Sequence, residues 1–262
     1  MDCESSVSGQ RKLETCCCKN LRQSTENGCR FCIQCGLEEN NYVESSGKKG
    51  WGSIKQALLF VFIHGTIVYS FGYLDFFQTL NWSIAINSLL AVVAVIFFTI
   101  NWSSLKDLLL WPNFSPALLL RYCSIAILGS LVVSFIFSEI FYFIYSRHIS
   151  FYYFYSSHKH SLELIVIFKT IIPALFEEVA FRGFLLGKLL NSVGRKKAII
   201  LSSVVFAFMH RSYISFFWIT PFAILVSQIR IKEKTLWYGV FIHFCFNLTA
   251  TILEIYYMNF HN

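Results

Sequence analysis

Long apolar stretches separated by short polar connections fill the chain from about residue 57 onward. The first fifty residues are different: Ser, Cys, Asn, Glu and Lys recur with no apolar run, which excludes a secretory signal with its apolar core near the start. The apolar stretches are approximately Ala57 to Leu74, Trp82 to Ile100, Ala117 to Tyr145, Leu162 to Leu190, Ala198 to His210, Tyr213 to Ile229 and Leu236 to Tyr257. A helix rises about 1.5 Å per residue and the hydrocarbon core is roughly 30 Å thick, so these stretches predict seven spans, the fifth the shortest. Between the second and third, Trp102 to Phe114 mixes Leu with Lys106, Asp107 and Pro112 and reads as an interfacial segment; as a crossing it would make an eighth span. The expected fold is an all-α polytopic transmembrane helical bundle with a small Cys-rich N-terminal segment. Three regions follow: 1–50, an aqueous Cys-rich segment; 55–160, N-terminal transmembrane helices; and 161–258, a C-terminal membrane core.

Composition agrees with this pattern. Charged residues are 14% of the 262 and hydrophobic ones 55%, where a soluble domain carries about 25% charged. Twenty-eight Phe, 13 Tyr and 6 Trp suit a lipid-facing surface with interfacial belts. The net charge of +7 comes from short clusters rather than one basic face, which argues against a nucleic-acid partner and for orientation in a bilayer. Basic residues from Arg11 to Lys55 precede span one, Lys188, Arg195, Lys196 and Lys197 follow span four, and Arg230, Lys232 and Lys234 precede span seven. Seven crossings put all three clusters on one side, which the positive-inside rule makes the cytoplasm. The expected location is the plasma membrane, multi-pass, with a cytoplasmic N terminus and the C-terminal tail outside. Arg147 and Lys159 alone would lie on the outer side.

Ionisable residues at membrane depth cost about 2.5 to 3.5 kcal/mol each on insertion scales and point to function. In Phe176-Glu177-Glu178-Val179-Ala180-Phe181-Arg182, a turn of about 100° per residue aims the adjacent carboxylates at different faces and predicts different jobs for them. Glu178 and Arg182 stand four apart with the acid first, the favoured order for a helical ion pair. Glu177 has no local partner. His210 ends the fifth stretch, and His243 and Asn247 share one face of the seventh. Counted from Lys188, Lys197 and Lys234, the depths of Glu177, His210 and His243 are roughly 14 to 20 Å, one layer near mid-membrane. A carboxylate and two imidazoles meeting there can position and deprotonate water, as attack on a peptide carbonyl requires, while Asn247 and a His N–H stabilise the oxyanion.

The ordered trio Glu-Glu-x-x-x-Arg, Phe-x-x-x-His and His-x-x-x-Asn resembles the CPBP family, the CAAX proteases and bacteriocin-processing enzymes, also called the type II CAAX prenyl endopeptidase family. The resemblance covers about residues 162 to 258, and Glu177 to Gly183 is close to the usual wording of its first motif. It implies an all-helical intramembrane endopeptidase with a water-filled cavity, in which Glu177 activates water with His210, His243 and Asn247 form the oxyanion site, and Glu178 with Arg182 supports the geometry. Three ligands from Glu177, His210 and His243 would suit zinc, but no His-Glu-x-x-His helix is present and the resemblance favours glutamate chemistry without a catalytic metal or other cofactor. The implied substrates are hydrophobic or membrane-tethered peptides, reached through a site opening toward the cytoplasm. Peptide or bacteriocin maturation, or bacteriocin self-immunity, is the expected role.

The remaining polar residues receive plainer readings. Gly183 and Gly187 make a Gly-x-x-x-Gly step for close helix packing. Arg121, Glu139 and Lys169 read as snorkelling or ion-paired, and Glu254 as interfacial. In the front segment, Cys32-Ile33-Gln34-Cys35-Gly36 resembles one knuckle of a zinc ribbon, and Cys18 with Cys29 would complete a candidate structural zinc site, against free thiols in a reducing compartment. Two rival functions use the same helices: a non-catalytic scaffold or immunity protein, indifferent to Glu177→Ala, and a proton-coupled transporter, for which no inverted repeat is visible.

Overall fold

The computed structural model describes residues 42–72, 79–112, 114–145, 152–156 and 158–260. The chain divides into Met1–Lys49 and Gly50–Asn262, and the candidate zinc ligands Cys18, Cys29, Cys32 and Cys35 lie outside the described residues. The described residues are helical, with no strand among them. Seven long helices follow in chain order: α1 (Tyr42–Gly72), α2 (Leu80–Ile100), α3 (Pro116–Tyr145), α4 (161–193), α5 (Arg195–Met209), α6 (Tyr213–Glu233) and α7 (Trp237–Phe260). Five of them, over Gly50–Phe71, Leu80–Ile100, Pro116–Ile144, Tyr213–Glu233 and Trp237–Tyr257, are long and apolar enough to cross a membrane. Their outer faces carry large apolar side chains such as Phe62, Leu120 and Phe143, the surface a lipid solvent requires.

The segment between α2 and α3 forms two short pieces, Trp102–Leu105 and Lys106–Leu109, far too short to cross. It stays at one end of the bundle, because Asn101 stops α2 by donating from Nδ2 to Phe97 O (2.9 Å) and accepting from Ser104 Oγ (2.9 Å) at its own carbonyl. Leu108 O then accepts from Leu236 N (2.9 Å), and Trp237 Nε1 donates to Leu109 O (2.7 Å), fixing the start of α7 at that same end.

Helix α4 is irregular for a reason visible in its sequence. Pro173 has no N–H to give the carbonyl of Lys169 and crowds it, and the stretch Ile167–Ile171 takes π geometry one turn before it. A second π stretch, Glu178–Leu185, contains the carboxylate and guanidinium of the first motif; π turns are rare and concentrate at functional sites. Gly183 and Gly187 face α2 and the turn after it: a Cβ on Gly183 would stand 3.0 Å from the Phe98 ring, and one on Gly187 would stand 3.3 Å from Leu105. The small-residue step therefore serves packing, as expected. Gly194, with φ +79°, makes the turn into α5.

The core between α1, α2, α4 and α5 is aromatic. Phe60 meets Phe181 at 5.8 Å and Phe184 at 5.3 Å between ring centroids, and Phe181 meets Phe206 at 5.0 Å, mostly edge-on. All four rings are buried.

Candidate active site

Three helices bring the polar residues together. Helix α4 supplies Glu177, Glu178 and Arg182, α5 ends on His210, and α7 supplies His243 and Asn247. Arg182 Nη1 stands 3.0 Å from Glu178 Oε1, and both side chains are essentially excluded from solvent. The guanidinium also lies over the Phe206 ring, 4.1 Å from its centroid, a cation–π contact that offsets part of its desolvation. The other side of Glu178 is closed by α7, where Gly239 permits the approach: a Cβ there would stand 2.7 Å from Glu178 Oε2 and 3.1 Å from Val226.

His243 sits between the adjacent carboxylates. Its Nδ1 is 3.1 Å from Glu178 Oε1 and its Nε2 is 3.8 Å from Glu177 Oε2. A carboxylate can only accept, so Nδ1 donates to Glu178 and the ring is held with Nε2 toward Glu177. His210 is set by its own helix end: Nδ1 lies 2.9 Å from Phe206 O, a carbonyl acceptor, which leaves Nε2 as the free edge, 4.0 Å from Glu177 Oε2. Arg211, the next residue, has φ +56°, a left-handed conformation uncommon for a side chain of that size, and it turns the chain directly behind the imidazole.

Exposure separates the two carboxylates as the sequence suggested. Glu177 and His210 keep 29% and 32% of their side-chain surface open, whereas Glu178 and His243 keep 0% and 5%. The open pair faces a cavity of about 600 Å³, also lined by His243 and Asn247. Glu177 and Glu178 do not, however, serve wholly separate partners, since the two nitrogens of His243 address one carboxylate each.

Three further residues take places that the sequence did not assign. Lys169 and Glu254, read as snorkelling and interfacial, both line the cavity, and Glu254 Oε1 accepts from Tyr152 N at 2.7 Å. His64 on α1 is buried against Phe60 and Phe181, at 5.2 and 5.3 Å between centroids, and lies within electrostatic reach of His210. Its signal was present, since a histidine within an apolar span is an intramembrane ionisable group. Arg121 and Glu139 are exposed on α3. Among the described residues no group of three or more His, Cys, Asp or Glu is arranged to hold a metal ion.

Residues 159–249 match the family model for Type II CAAX prenyl endopeptidase Rce1-like, a stretch that contains Glu177, Glu178, Arg182, His210, His243 and Asn247 but neither His64 nor Glu254. No curated protein and no solved structure matches the chain.

Proposed function

From the Rce1-like type II CAAX prenyl endopeptidase domain that residues 159–249 carry, we propose that this membrane protein is an intramembrane endopeptidase, hydrolysing peptide bonds of hydrophobic or membrane-tethered peptides with water activated on Glu177. The observation that supports it most is the pair Glu177 and His210, which share the cavity wall with 29% and 32% of their side-chain surface open, His210 Nε2 standing 4.0 Å from Glu177 Oε2. That oxygen is itself closed to solvent, so an attacking water donates one hydrogen to Nε2 and the other to the open edge of the same carboxylate. Its lone pair is then free to face a carbonyl carbon.

As the water oxygen bonds to that carbon, its proton passes to Glu177 and the carbonyl oxygen becomes an oxyanion. Collapse of the tetrahedral intermediate breaks the C–N bond while Glu177 returns the proton to the leaving nitrogen. A positioned base of this kind contributes typically 10²- to 10⁴-fold. Asn247 and the Nε2 edge of His243 stand on the same cavity and supply oxyanion donors, each worth about 10²- to 10³-fold. Nδ1 of His243 donates to Glu178, which leaves its Nε2 edge toward Glu177 and the cavity. Glu178 and Arg182 hold that ring in place.

No catalytic metal is part of this mechanism. A structural zinc on Cys18, Cys29, Cys32 and Cys35 would serve folding or docking of the front segment. In its finer form the proposal is peptide or bacteriocin maturation, or self-immunity, in the plasma membrane.

The deciding experiment is cleavage of a membrane-presented peptide library by purified wild type and Glu177→Ala, with and without a strong chelator. Loss with Glu177→Ala but not with chelator is expected. Loss with chelator as well would replace the glutamate mechanism by a metal one, and no cleavage by folded wild type would leave the scaffold reading.

A further inference from the structure

The two ends of the bundle differ in charge, and the cavity belongs to only one of them. Contacts identify the first end. Ser192 Oγ donates to Gly50 O (3.1 Å), Lys188 Nζ donates to Asn101 Oδ1, and the cradle of Gly187 is closed by Leu105 and Arg230. Gly50 of α1, the end of α2, the end of α4 and the end of α6 therefore lie together. Lys55, Lys106, Lys188, Arg195, Lys196, Lys197, Arg230, Lys232 and Lys234 occupy this end, against the acids Asp107 and Glu233.

The opposite end is equally well defined. Leu80 at the start of α2 packs with Tyr155 and Ile165, with Ile255 beside them, and Tyr152 N donates to Glu254. Its charged side chains are mixed in sign: Lys159 and Arg211 against Glu163 and Glu254.

The cavity runs from Glu177, His210 and His243 toward this second end. Its lining continues through Lys169 and Glu254 to Tyr155, Leu80 and the exposed Thr79 and Arg211, and includes no residue of the basic end. Lys169 lies eight positions before Glu177 on α4, roughly 12 Å further from the basic end. In the other direction the way is filled. Phe181, Arg182, Phe184 and Leu236, between the level of Glu178 and that of Lys188, are each no more than 2% exposed.

Basic residues of membrane proteins concentrate on the cytoplasmic side of short connections. We propose that the cavity is entered from the non-cytoplasmic face, so that the substrate is an apolar peptide presented there, its backbone descending past Lys169 and Glu254 to Glu177. This reverses the expectation of a site opening toward the cytoplasm. The depth of Glu177 is the same from either side of the sequence count; only the packing shows which half is open. The term substrate rests on the endopeptidase reading, but the sidedness does not.

Single cysteines test it in intact bacterial cells expressing the full chain, treated with a membrane-impermeant maleimide and compared with wild type for background. Thr79→Cys at the cavity rim and Lys159→Cys at the same end are expected to label at least about fivefold above wild type without permeabilisation. Lys197→Cys is expected to label only after it. Labelling of Lys197→Cys in intact cells, or of the other two only after permeabilisation, overturns the proposal. This readout needs no cleavage, so a chain that proves to be inert as a protease still reports its orientation. Right-side-out and inside-out vesicles given quenched fluorescent peptides of Leu, Phe and Ala add the second arm, with cleavage expected first in the right-side-out ones. Faster cleavage by inside-out vesicles would overturn the entry route.

Discussion

Nδ1 of His243 lies 3.1 Å from Oε1 of Glu178, across 65 residues of sequence, and Arg182 holds the same oxygen from the other side at 3.0 Å. This buried carboxylate couples the helix that carries the proposed base to the helix that carries the oxyanion donors. Its loss is expected to disturb both stability and rate, whereas loss of Glu177 is expected to disturb rate alone.

Removing either partner of the Glu178 and Arg182 pair leaves a charge buried without compensation, which costs about 3 to 5 kcal/mol in comparable sites. Glu178→Gln and Arg182→Met should each lower thermal stability in detergent strongly. The double variant should recover part of that loss, because no lone charge remains. A double variant as unstable as the sum of the two singles would show that the residues do not act as a pair.

Gly239→Ala tests the close approach of α7 to Glu178. The added Cβ would meet a carboxylate oxygen at 2.7 Å and Val226 at 3.1 Å, and the carboxylate cannot swing away without releasing His243 or Arg182. Overpacking of this kind costs typically 1 to 3 kcal/mol. A fall in melting temperature together with reduced peptide cleavage is expected; unchanged cleavage would mean that His243 does not need this anchor.

The fixed ring of His210 predicts a graded series. His210→Ala should lower kcat by about 10²-fold or more, the scale of a lost acceptor that orients the attacking water, with KM little changed. His210→Gln keeps an acceptor oxygen but not the ring fixed against Phe206 O, and should recover only part of the rate. A glutamine variant no better than alanine would show that His210 does more than hold the water.

Asn247→Ala should lower kcat by about 10²- to 10³-fold at near-normal stability, the size of one oxyanion donor. Asn247→Asp replaces the amide by an acceptor facing the developing negative charge and should be the worse of the two. Steady-state cleavage of one defined peptide measures both, and an aspartate variant as active as wild type would remove Asn247 from the oxyanion site.

Arg211 occupies a left-handed conformation that glycine adopts without strain. Arg211→Gly should therefore change stability by no more than about 1 kcal/mol, while a β-branched Arg211→Val should be clearly destabilising. Thermal unfolding of the two variants makes the comparison, and equal stability would show that the backbone there is not constrained.

Hydrophobic length was enough to place the long helices of the described residues, five of which are long and apolar enough to cross a membrane, because in a bilayer an apolar run near twenty residues has little choice but to close its backbone hydrogen bonds internally. The motif spacing picked out Glu177, Glu178, Arg182, His210, His243 and Asn247 as one group, because polar and ionisable side chains are costly at that depth, and the packing gathers them at one place. Composition also set the segment between α2 and α3 apart from the long apolar runs, and it folds as two short helices, too short to cross. Packing decided the rest. The proline-linked π turns of α4, the cradle at Gly239 and the burial of Glu178 determine which carboxylate meets water, and none of them has a periodic signature. Lys169, Glu254 and His64 were legible as polar residues in apolar surroundings, but whether each faces lipid, protein or cavity depends on the rotation of its helix against its neighbours. The open end of the cavity is of the same kind: a sequence records depth from both faces equally, and only the aromatic packing around Phe181 and Phe184 closes one of them.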